Sequence, residues 1–212
     1  MDLALELLES LRMYLGATVQ EAAFVIWPRD TWPEDTDTKL YLKLLLSDKS
    51  IVHFVMDTDT NGQTPRFTQD EYKPKYSYSQ LGERLAAWKA DAGDDHPLSE
   101  AEIQQWCDTH VSLELEVFDL AGSTEYGWLI DSRLVAIELV CYLDYHAPGG
   151  TILHFDNGRY IWSHPGTDGN TIWLEYDRKY MADDWRFYKI RLDLDCRSED
   201  DCKLDRLASA DL

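Results

Sequence analysis

The sequence predicts an α+β protein built mostly of antiparallel β-sheet. Leucine recurs at every second position from Leu40 to Leu46, with Lys39 and Lys43 on the other face, which is the period of a half-buried strand. Asn157-Gly158 lies between two strand-like runs and is a strong signal for a tight hairpin. Helices do not alternate regularly with strands, which disfavours a doubly wound parallel sheet. We therefore expect antiparallel meanders in the N- and C-terminal parts, one N-terminal helix and two mid-chain helices.

The N-terminal part predicts one helix followed by three strands. Residues 2–15 carry leucine at every fourth position, and Gly16 follows where a C-terminal cap belongs. Residues 22–27 are apolar on both faces, as in a covered central strand. After the alternating leucine run, residues 51–56 return as a further strand of an antiparallel meander.

The middle of the chain predicts a long polar loop over residues 57–75 and then two helices. The first helix starts at Ser77, where Gln80 completes a capping box, and a second capping box starts a helix at Ser99. Residues 111–118 then alternate as a strand.

Residues 131–146 fit either a helix or a long buried strand, because periodicity alone does not separate the two. Their β-branched and aromatic side chains favour the strand. Asn157-Gly158 then predicts a type I′ turn, in which both residues take a positive φ. Two more strands, 171–177 and 186–194, continue the meander.

We expect a single domain over residues 1–196, with a subdomain division near 57–110 as the alternative. Residues 197–212 predict an acidic C-terminal tail or a short helix. A chain of 212 residues buries roughly 70% of its unfolded surface, so it needs no disulfide or metal to fold. Its four cysteines match no zinc pattern, and in a reducing compartment they are expected to be thiols.

Charge is the most informative part of the composition. Forty acidic residues against 20 basic ones give a formal charge of −20, and the chain also holds 26 aromatic residues, eight of them Trp. This many aromatic residues predict a folded core inside a negative surface, whereas an acidic chain poor in them is typically disordered. Acidic residues outnumber basic ones in every third of the chain, which disfavours binding to nucleic-acid phosphates or to anionic membranes.

The N-terminus and the hydropathy predict a cytoplasmic protein. The first residues carry Asp2, Glu6 and Glu9 where a signal peptide needs basic residues. No uncharged apolar run approaches the roughly 20 residues that span a bilayer.

The sharpest local motif is a possible metal loop at Asp57, Asp59 and Asn61, followed by Gly62. Oxygen ligands at alternate positions before a glycine are how calcium loops wrap a hard cation, and Mg²⁺ accepts the same ligand types. The bidentate Glu of a complete loop is missing, because its position is Thr68. The competing interpretation is an ordinary polar turn after a strand.

The same segment, IVHFVMDTDTN at 51–61, resembles the first motif of haloacid-dehalogenase-like phosphatases. The resemblance implies that one of Asp57 and Asp59 is a nucleophile and the other an acid–base. It departs from that family at Asn61, where the motif has Thr or Val. The family also has a parallel doubly wound sheet, which the element pattern here disfavours.

A second metal hypothesis concerns His154, Asp156 and His164, which have the residue types of a two-His, one-carboxylate iron site. A hairpin centred on Asn157-Gly158 places His154 opposite Ile161 and displaces His164 along the strand. A surface histidine on a hairpin is therefore the favoured interpretation.

The remaining candidate is a recognition surface in the connection after residues 22–27. It combines two Trp and two Pro with acidic side chains, and Trp anchors ringed by charge are typical of interface hot spots. The alternative is that both Trp pack onto the core and the acids are merely solvated. The residues expected to bind a partner are Trp27, Asp30, Trp32, Glu34, Asp35 and Asp37.

Three functions fit these observations. The favoured one is a non-catalytic binding protein that neutralises a basic partner, such as a toxin or a nucleic-acid-binding enzyme, in the manner of an immunity protein or a nucleic-acid mimic. The alternative is a metal-dependent hydrolase or calcium-binding protein that uses Asp57, Asp59 and Asn61. The third is an acidic housekeeping protein whose charge serves solubility alone.

Overall fold

A computed structural model describes residues 3–27, 37–58, 65–84, 115–142, 147–165, 170–173, 187–194 and 204–205. Two six-stranded sheets, here called A and B, hold most of these residues. Neighbouring strands pair antiparallel except at one edge of sheet A. The predicted α+β class with mainly antiparallel sheet is confirmed.

The N-terminal helix, α1, spans Leu3–Ser10 and ends earlier than predicted. Its buried face is formed by Ala4 and Leu8 and continues at Leu11, whereas Leu7 stays half-buried. The leucines at every fourth position are therefore not the most buried stripe. Adjacent leucines on a short helix left the choice of face open, and packing decided it.

A tight passage joins α1 to the first strand. A 3-10 turn at Arg12–Tyr14 follows the helix, and Gly16 then takes a φ of +82°. A β-carbon at Gly16 would lie 3.1 Å from the Leu194 side chain, so both the backbone and the space favour glycine there. The Gly16 N–H donates to the Leu134 carbonyl, which ties this passage to sheet B.

Sheet A contains the predicted N-terminal meander. Its strands are β1 (Thr18–Trp27), β2 (Asp37–Leu45), β3 (Ile51–Thr58), β4 (Pro65–Thr68), β5 (Tyr76–Ser77) and β6 (Glu116–Asp119). They are ordered β4-β3-β2-β1-β6-β5, and only β5 and β6 pair parallel in this sheet. The strands predicted at 22–27, 39–46, 51–56 and 111–118 correspond to β1, β2, β3 and β6.

Strand β4 lies inside the predicted loop 57–75, so that prediction was wrong in part. Phe67 of β4 stacks on Phe54 of β3 with ring centroids 5.5 Å apart. Four residues with apolar side chains only at Pro65 and Phe67 are too short for a periodic signal.

The capping signal at Ser77 is confirmed. The Ser77 N–H donates to Gln80 Oε1 over 2.9 Å, and a 3-10 turn at Tyr78–Gln80 leads into helical residues 81–84. The helix predicted from Ser99 lies outside the described residues.

Sheet B is formed by the last part of the chain. Its strands are β7 (Leu134–Tyr142), β8 (Ala147–Phe155), β9 (Tyr160–Pro165), β10 (Asn170–Trp173), β11 (Phe187–Asp193) and β12 (Leu204–Asp205), in the order β10-β9-β8-β7-β11-β12. The ambiguous segment 131–146 is therefore a strand where it is described. Within the predicted tail, β12 pairs with β11.

The Asn157-Gly158 hairpin is present, but its turn is not type I′. Gly158 has a φ of +79°, whereas Asn157 has no positive φ. The Gly158 N–H donates to the Phe155 carbonyl and the Phe155 N–H donates to the Arg159 carbonyl, which closes a three-residue loop. This loop moves the register by one residue, because His154 pairs with Tyr160 and not with Ile161.

The inner faces of both sheets and α1 share one hydrophobic core. It extends from Ala4 to Leu192 and includes aromatic contacts such as Tyr14 against Phe54. Each sheet also buries a smaller cluster on its outer face: Ala23, Val25, Tyr41, Val55 and Val117 on sheet A, and Val140, Ile152 and Trp162 on sheet B. Cys141 is a thiol buried in the shared core, where it packs as a small apolar side chain.

Candidate functional site

The predicted recognition surface begins and ends at one hairpin of sheet A. Trp27 ends β1, Asp37 begins β2, and these two residues pair across the hairpin. Of the predicted partner-binding residues, Asp30, Trp32, Glu34 and Asp35 lie outside the described residues. The backbone therefore fixes both ends of residues 28–36 at the same end of the sheet.

Two further connections leave this end, which we call the loop end of sheet A. It is where β1 and β3 finish and where β2, β4 and β6 begin. Residues 59–64 connect β3 to β4 there. Arg84 also reaches this end, because its guanidinium donates two hydrogen bonds to Glu116 at the start of β6, one of them 3.0 Å long. Residues 85–114 therefore start and finish at the loop end.

The three connections at the loop end are acidic. Residues 28–36, 59–64 and 85–114 together hold 11 acidic and 2 basic side chains, a formal charge of −9. Because β1 and β6 are neighbours, the described ends of the first and third connections meet at this end of the sheet, which the sequence did not reveal.

The net charge is divided unevenly between the strands and the rest of the chain. The 12 described strands hold 8 of the 40 acidic and 5 of the 20 basic side chains, a formal charge of −3. The rest of the sequence holds 32 acidic and 15 basic side chains, a formal charge of −17. Six of the described basic residues pair with described carboxylates: Arg12, Lys39, Lys43, Arg84, Lys189 and Arg191.

Asp57, the first residue of the predicted metal loop, has a cationic neighbour within its own sheet. It is buried, and its Oδ2 accepts a hydrogen bond from Lys39 Nζ over 2.7 Å. Asp59 and Asn61 lie outside the described residues. Within the described ranges no group of three His, Cys, Asp or Glu side chains is arranged to hold a metal. A cation at Asp57 would have to compete with the Lys39 ammonium group for this carboxylate.

The sheet around β3 does not have the parallel pairing that the phosphatase resemblance requires. This strand pairs antiparallel with both β2 and β4. The resemblance requires the motif to end a strand of a parallel sheet, so a nucleophile role for Asp57 is not supported.

The outer face of sheet A beside Asp57 is aromatic and half-buried. Tyr41 OH shares a 2.9 Å hydrogen bond with His53 Nδ1, and the Tyr72 ring packs edge-on against Tyr41. Burial, reinforced by the negative charges of Glu21 and Glu71, raises the pKa of Tyr41 to about 12. Tyr41 therefore stays protonated at neutral pH, and with 1% of its surface exposed it belongs to the buried cluster on this face.

Sequence reasoning missed a charge cluster on the outer face of sheet B. Glu138 of β7 is buried, and its Oε1 lies 2.8 Å from Lys189 Nζ of β11. His154 Nε2 of β8 lies 3.6 Å from Glu138 Oε2, and Arg191 lies 3.9 Å from it. The available signal was a single acid in the apolar run of β7, facing alternate charged residues of β11.

Glu138 is held in its charged form. Burial acts to raise the pKa of Glu138, but the interactions with His154 and Lys189 outweigh it and keep that pKa below its ordinary value. One carboxylate surrounded by three basic groups joins β7, β8 and β11. Both carboxylate oxygens of Glu138 face basic groups of the neighbouring strands, and this arrangement stabilises the pairing of the three strands.

The predicted iron triad is not assembled in the described atoms. Asp156 Oδ1 accepts the Arg133 backbone N–H over 3.0 Å, and His154 Nε2 faces Glu138. His154 lies on the predicted hairpin, but it is half-buried against Glu138 and pairs with Tyr160, so the prediction of a surface histidine opposite Ile161 was wrong in those two respects.

Comparisons with protein-family models, curated proteins and solved structures find no match for this chain. Among the described helices, none is both long and apolar enough to cross a membrane.

Proposed function

We propose that this chain is an acidic, non-catalytic binding protein that neutralises a basic partner protein through the loop end of sheet A. The observation that carries the proposal is the division of charge. The strands of sheets A and B carry nearly equal numbers of acidic and basic residues, whereas the connections are strongly acidic. Three of these connections start and finish at the loop end of sheet A. A concentrated negative field accelerates encounter with a cationic protein.

The partner chemistry follows from the residue types at this end. Trp27 and Trp32 supply large apolar contacts, and Asp30, Glu34, Asp35 and Asp37 supply carboxylates. Carboxylates spaced along a connection resemble the phosphates that a nuclease or another nucleic-acid-binding enzyme recognises. We therefore propose a toxin-like or nucleic-acid-binding basic protein as the partner, and binding in the cytoplasm.

Affinity capture from the native cell, followed by mass spectrometry, tests the proposal. The full chain should retain a basic protein, and its recovery should fall as salt is raised, because screening weakens charge steering. A variant with Asp30→Asn, Glu34→Gln, Asp35→Asn and Asp37→Asn should lose most of this recovery. Trp27→Ala with Trp32→Ala should lose it without any change in charge.

A matched control separates local recognition from net charge. Glu6→Gln, Asp48→Asn, Glu125→Gln and Asp131→Asn remove the same four negative charges at exposed positions elsewhere. This control should retain the partner nearly as well as the original chain. Equal losses in the two four-site variants, or recovery that does not depend on salt, would contradict binding at the loop end.

The metal-dependent alternative predicts that metal ions stabilise the folded chain. If Asp57, Asp59 and Asn61 held Ca²⁺ or Mg²⁺, millimolar metal should raise the Tm of the full chain, because a ligand that binds only the folded state stabilises it. We expect no rise, since Lys39 already neutralises Asp57 at 2.7 Å.

A further inference from the structure

The two sheets share the arrangement of five of their six strands. Each begins with a four-stranded meander, β1 to β4 in sheet A and β7 to β10 in sheet B. In each, a later strand then pairs antiparallel with the outer edge of the first meander strand, β6 beside β1 and β11 beside β7. Each sheet is built from one continuous part of the chain, before residue 120 or after residue 133.

The second hairpin of each meander closes with the same turn. In sheet A, the Lys49 N–H donates to the Leu46 carbonyl and the Leu46 N–H donates to the Ser50 carbonyl, with Lys49 at a φ of +69°. This is the bonding pattern of the β8–β9 hairpin, where Gly158 is the residue of positive φ. Both are three-residue loops that end in the left-handed conformation.

Counting from these turns aligns the core residues of the two sheets. Five residues before the left-handed residue are Leu44 and Leu153, and three residues after it are Val52 and Ile161. All four contribute to the shared core. The equivalent positions therefore present the same face inward.

Contacts between the sheets are reciprocal. Strand β2 contacts β10 and the equivalent strand β8 contacts β4, while β3 contacts its own equivalent, β9. Such reciprocity defines an isologous interface, in which a patch on one unit meets the same patch on the other.

We infer that the chain is an internal duplication, in which residues 18–119 and 134–205 are two copies of one sheet unit packed around a pseudo-twofold axis near β3 and β9. The copies differ at the outermost strand, because β5 precedes β6 and is parallel to it, whereas β12 follows β11 and is antiparallel. Helix α1 precedes the first copy and has no α-helical equivalent among the described residues that directly precede the second copy. The sequence shows no repeat, since the shared geometry demands only apolar residues at alternate positions. The duplication does not depend on the proposed function.

Cutting the full-length chain at chosen turns tests the duplication. A specific protease site is placed in the exposed turn at Ala121-Gly122, between the copies. Two further variants carry the site at residues 47–49 and at 156–158, the equivalent hairpins within the copies. After cleavage, each pair of fragments is unfolded in urea and diluted, and the recovered native circular dichroism and the 1:1 complex on size exclusion are measured.

Fragments cut between the copies should recover several-fold more native complex than those cut within a copy, because only the latter must rebuild a split sheet. The cuts at 47–49 and 156–158 should lower recovery by similar factors, since they sever equivalent strand pairs. Equal recovery from all three cuts, or a large difference between the two hairpin cuts, would overturn the duplication.

Discussion

At the scale of single residues, two turns share one backbone but differ at the left-handed position. Lys49 occupies it in one turn and Gly158 in the other, and a β-carbon at Gly158 would meet no atom within 4 Å. The energetic difference is therefore confined to the backbone. A residue with a β-carbon costs about 1–2 kcal/mol in the left-handed conformation. Glycine avoids this cost, but its greater freedom in the unfolded chain offsets part of the gain.

We expect Lys49→Gly to raise the free energy of unfolding by about 0.5 kcal/mol and Gly158→Ala to lower it by about 1 kcal/mol. Urea unfolding of the full chain measures both changes. Lys49→Ala is the control, because it removes the same charge but keeps a β-carbon. A gain from Lys49→Ala equal to that from Lys49→Gly would assign the effect to charge and not to φ.

Among the residues of the described ion pairs, we expect replacement of Glu138 to lower the unfolding free energy most. Glu138→Ala leaves Lys189 and Arg191 without their shared carboxylate in a half-buried site, and we expect unfolding free energy to fall by about 3 kcal/mol. Chemical denaturation at neutral pH measures this. Glu9→Ala, which breaks the exposed pair with Arg12, should cost less than about 1 kcal/mol, and a similar cost for both would contradict the weight given to burial.

The same carboxylate predicts a pH dependence. The folded-state pKa of Glu138 lies below its unfolded value, so its stabilisation is present above the unfolded pKa and is lost as pH falls through the folded pKa. Between neutral pH and mildly acidic pH, Glu138→Gln should therefore differ from the original chain by a constant amount. Below the unfolded pKa the two stability curves should converge, and curves that stay parallel into strong acid would contradict the shift.

At the scale of elements, α1 tests which helix face holds the molecule together. Leu8 is 1% exposed in the shared core, whereas the neighbouring Leu7 is half-buried. We expect Leu8→Ala to lower the unfolding free energy by about 3 kcal/mol and Leu7→Ala by about 1 kcal/mol. Thermal and urea unfolding of both variants compare the two helix faces. Equal losses of unfolding free energy would contradict the greater burial of Leu8 and favour the leucine stripe through Leu7 that the sequence suggested.

Elements with strong periodicity were predictable and those set by tertiary contact were not. The alternation around Leu42 identified β2, and β-branched residues identified β7 within the ambiguous segment 131–146. The β8–β9 register was predicted one residue away, because the turn uses only Gly158 in the left-handed region. Glu138 escaped prediction because its partners come from two other strands, and their meeting depends on strand order.

At the scale of the whole molecule, the charge has a distribution that counting along the chain conceals. Acidic residues exceed basic ones in every third of the sequence, yet the described strands carry only −3 and the rest of the sequence −17. Charged residues on the strands tend to pair, as Lys39 does with Asp57. The candidate residues around Trp27 could be proposed from sequence, but their neighbours at the loop end required the strand order.

This excess of negative charge predicts that salt stabilises the folded chain in the absence of any partner. Like charges repel in the compact state, and an ionic strength of 0.1 M screens exposed charges beyond about 10 Å. The pairs at Glu138 and Asp57 are short and largely buried, so screening weakens them less. Between about 10 and about 300 mM KCl we expect the Tm to rise by a few degrees. Both four-site neutralised variants should show a smaller rise. A Tm that falls with added salt would mean that attraction within the strands outweighs repulsion between the connections.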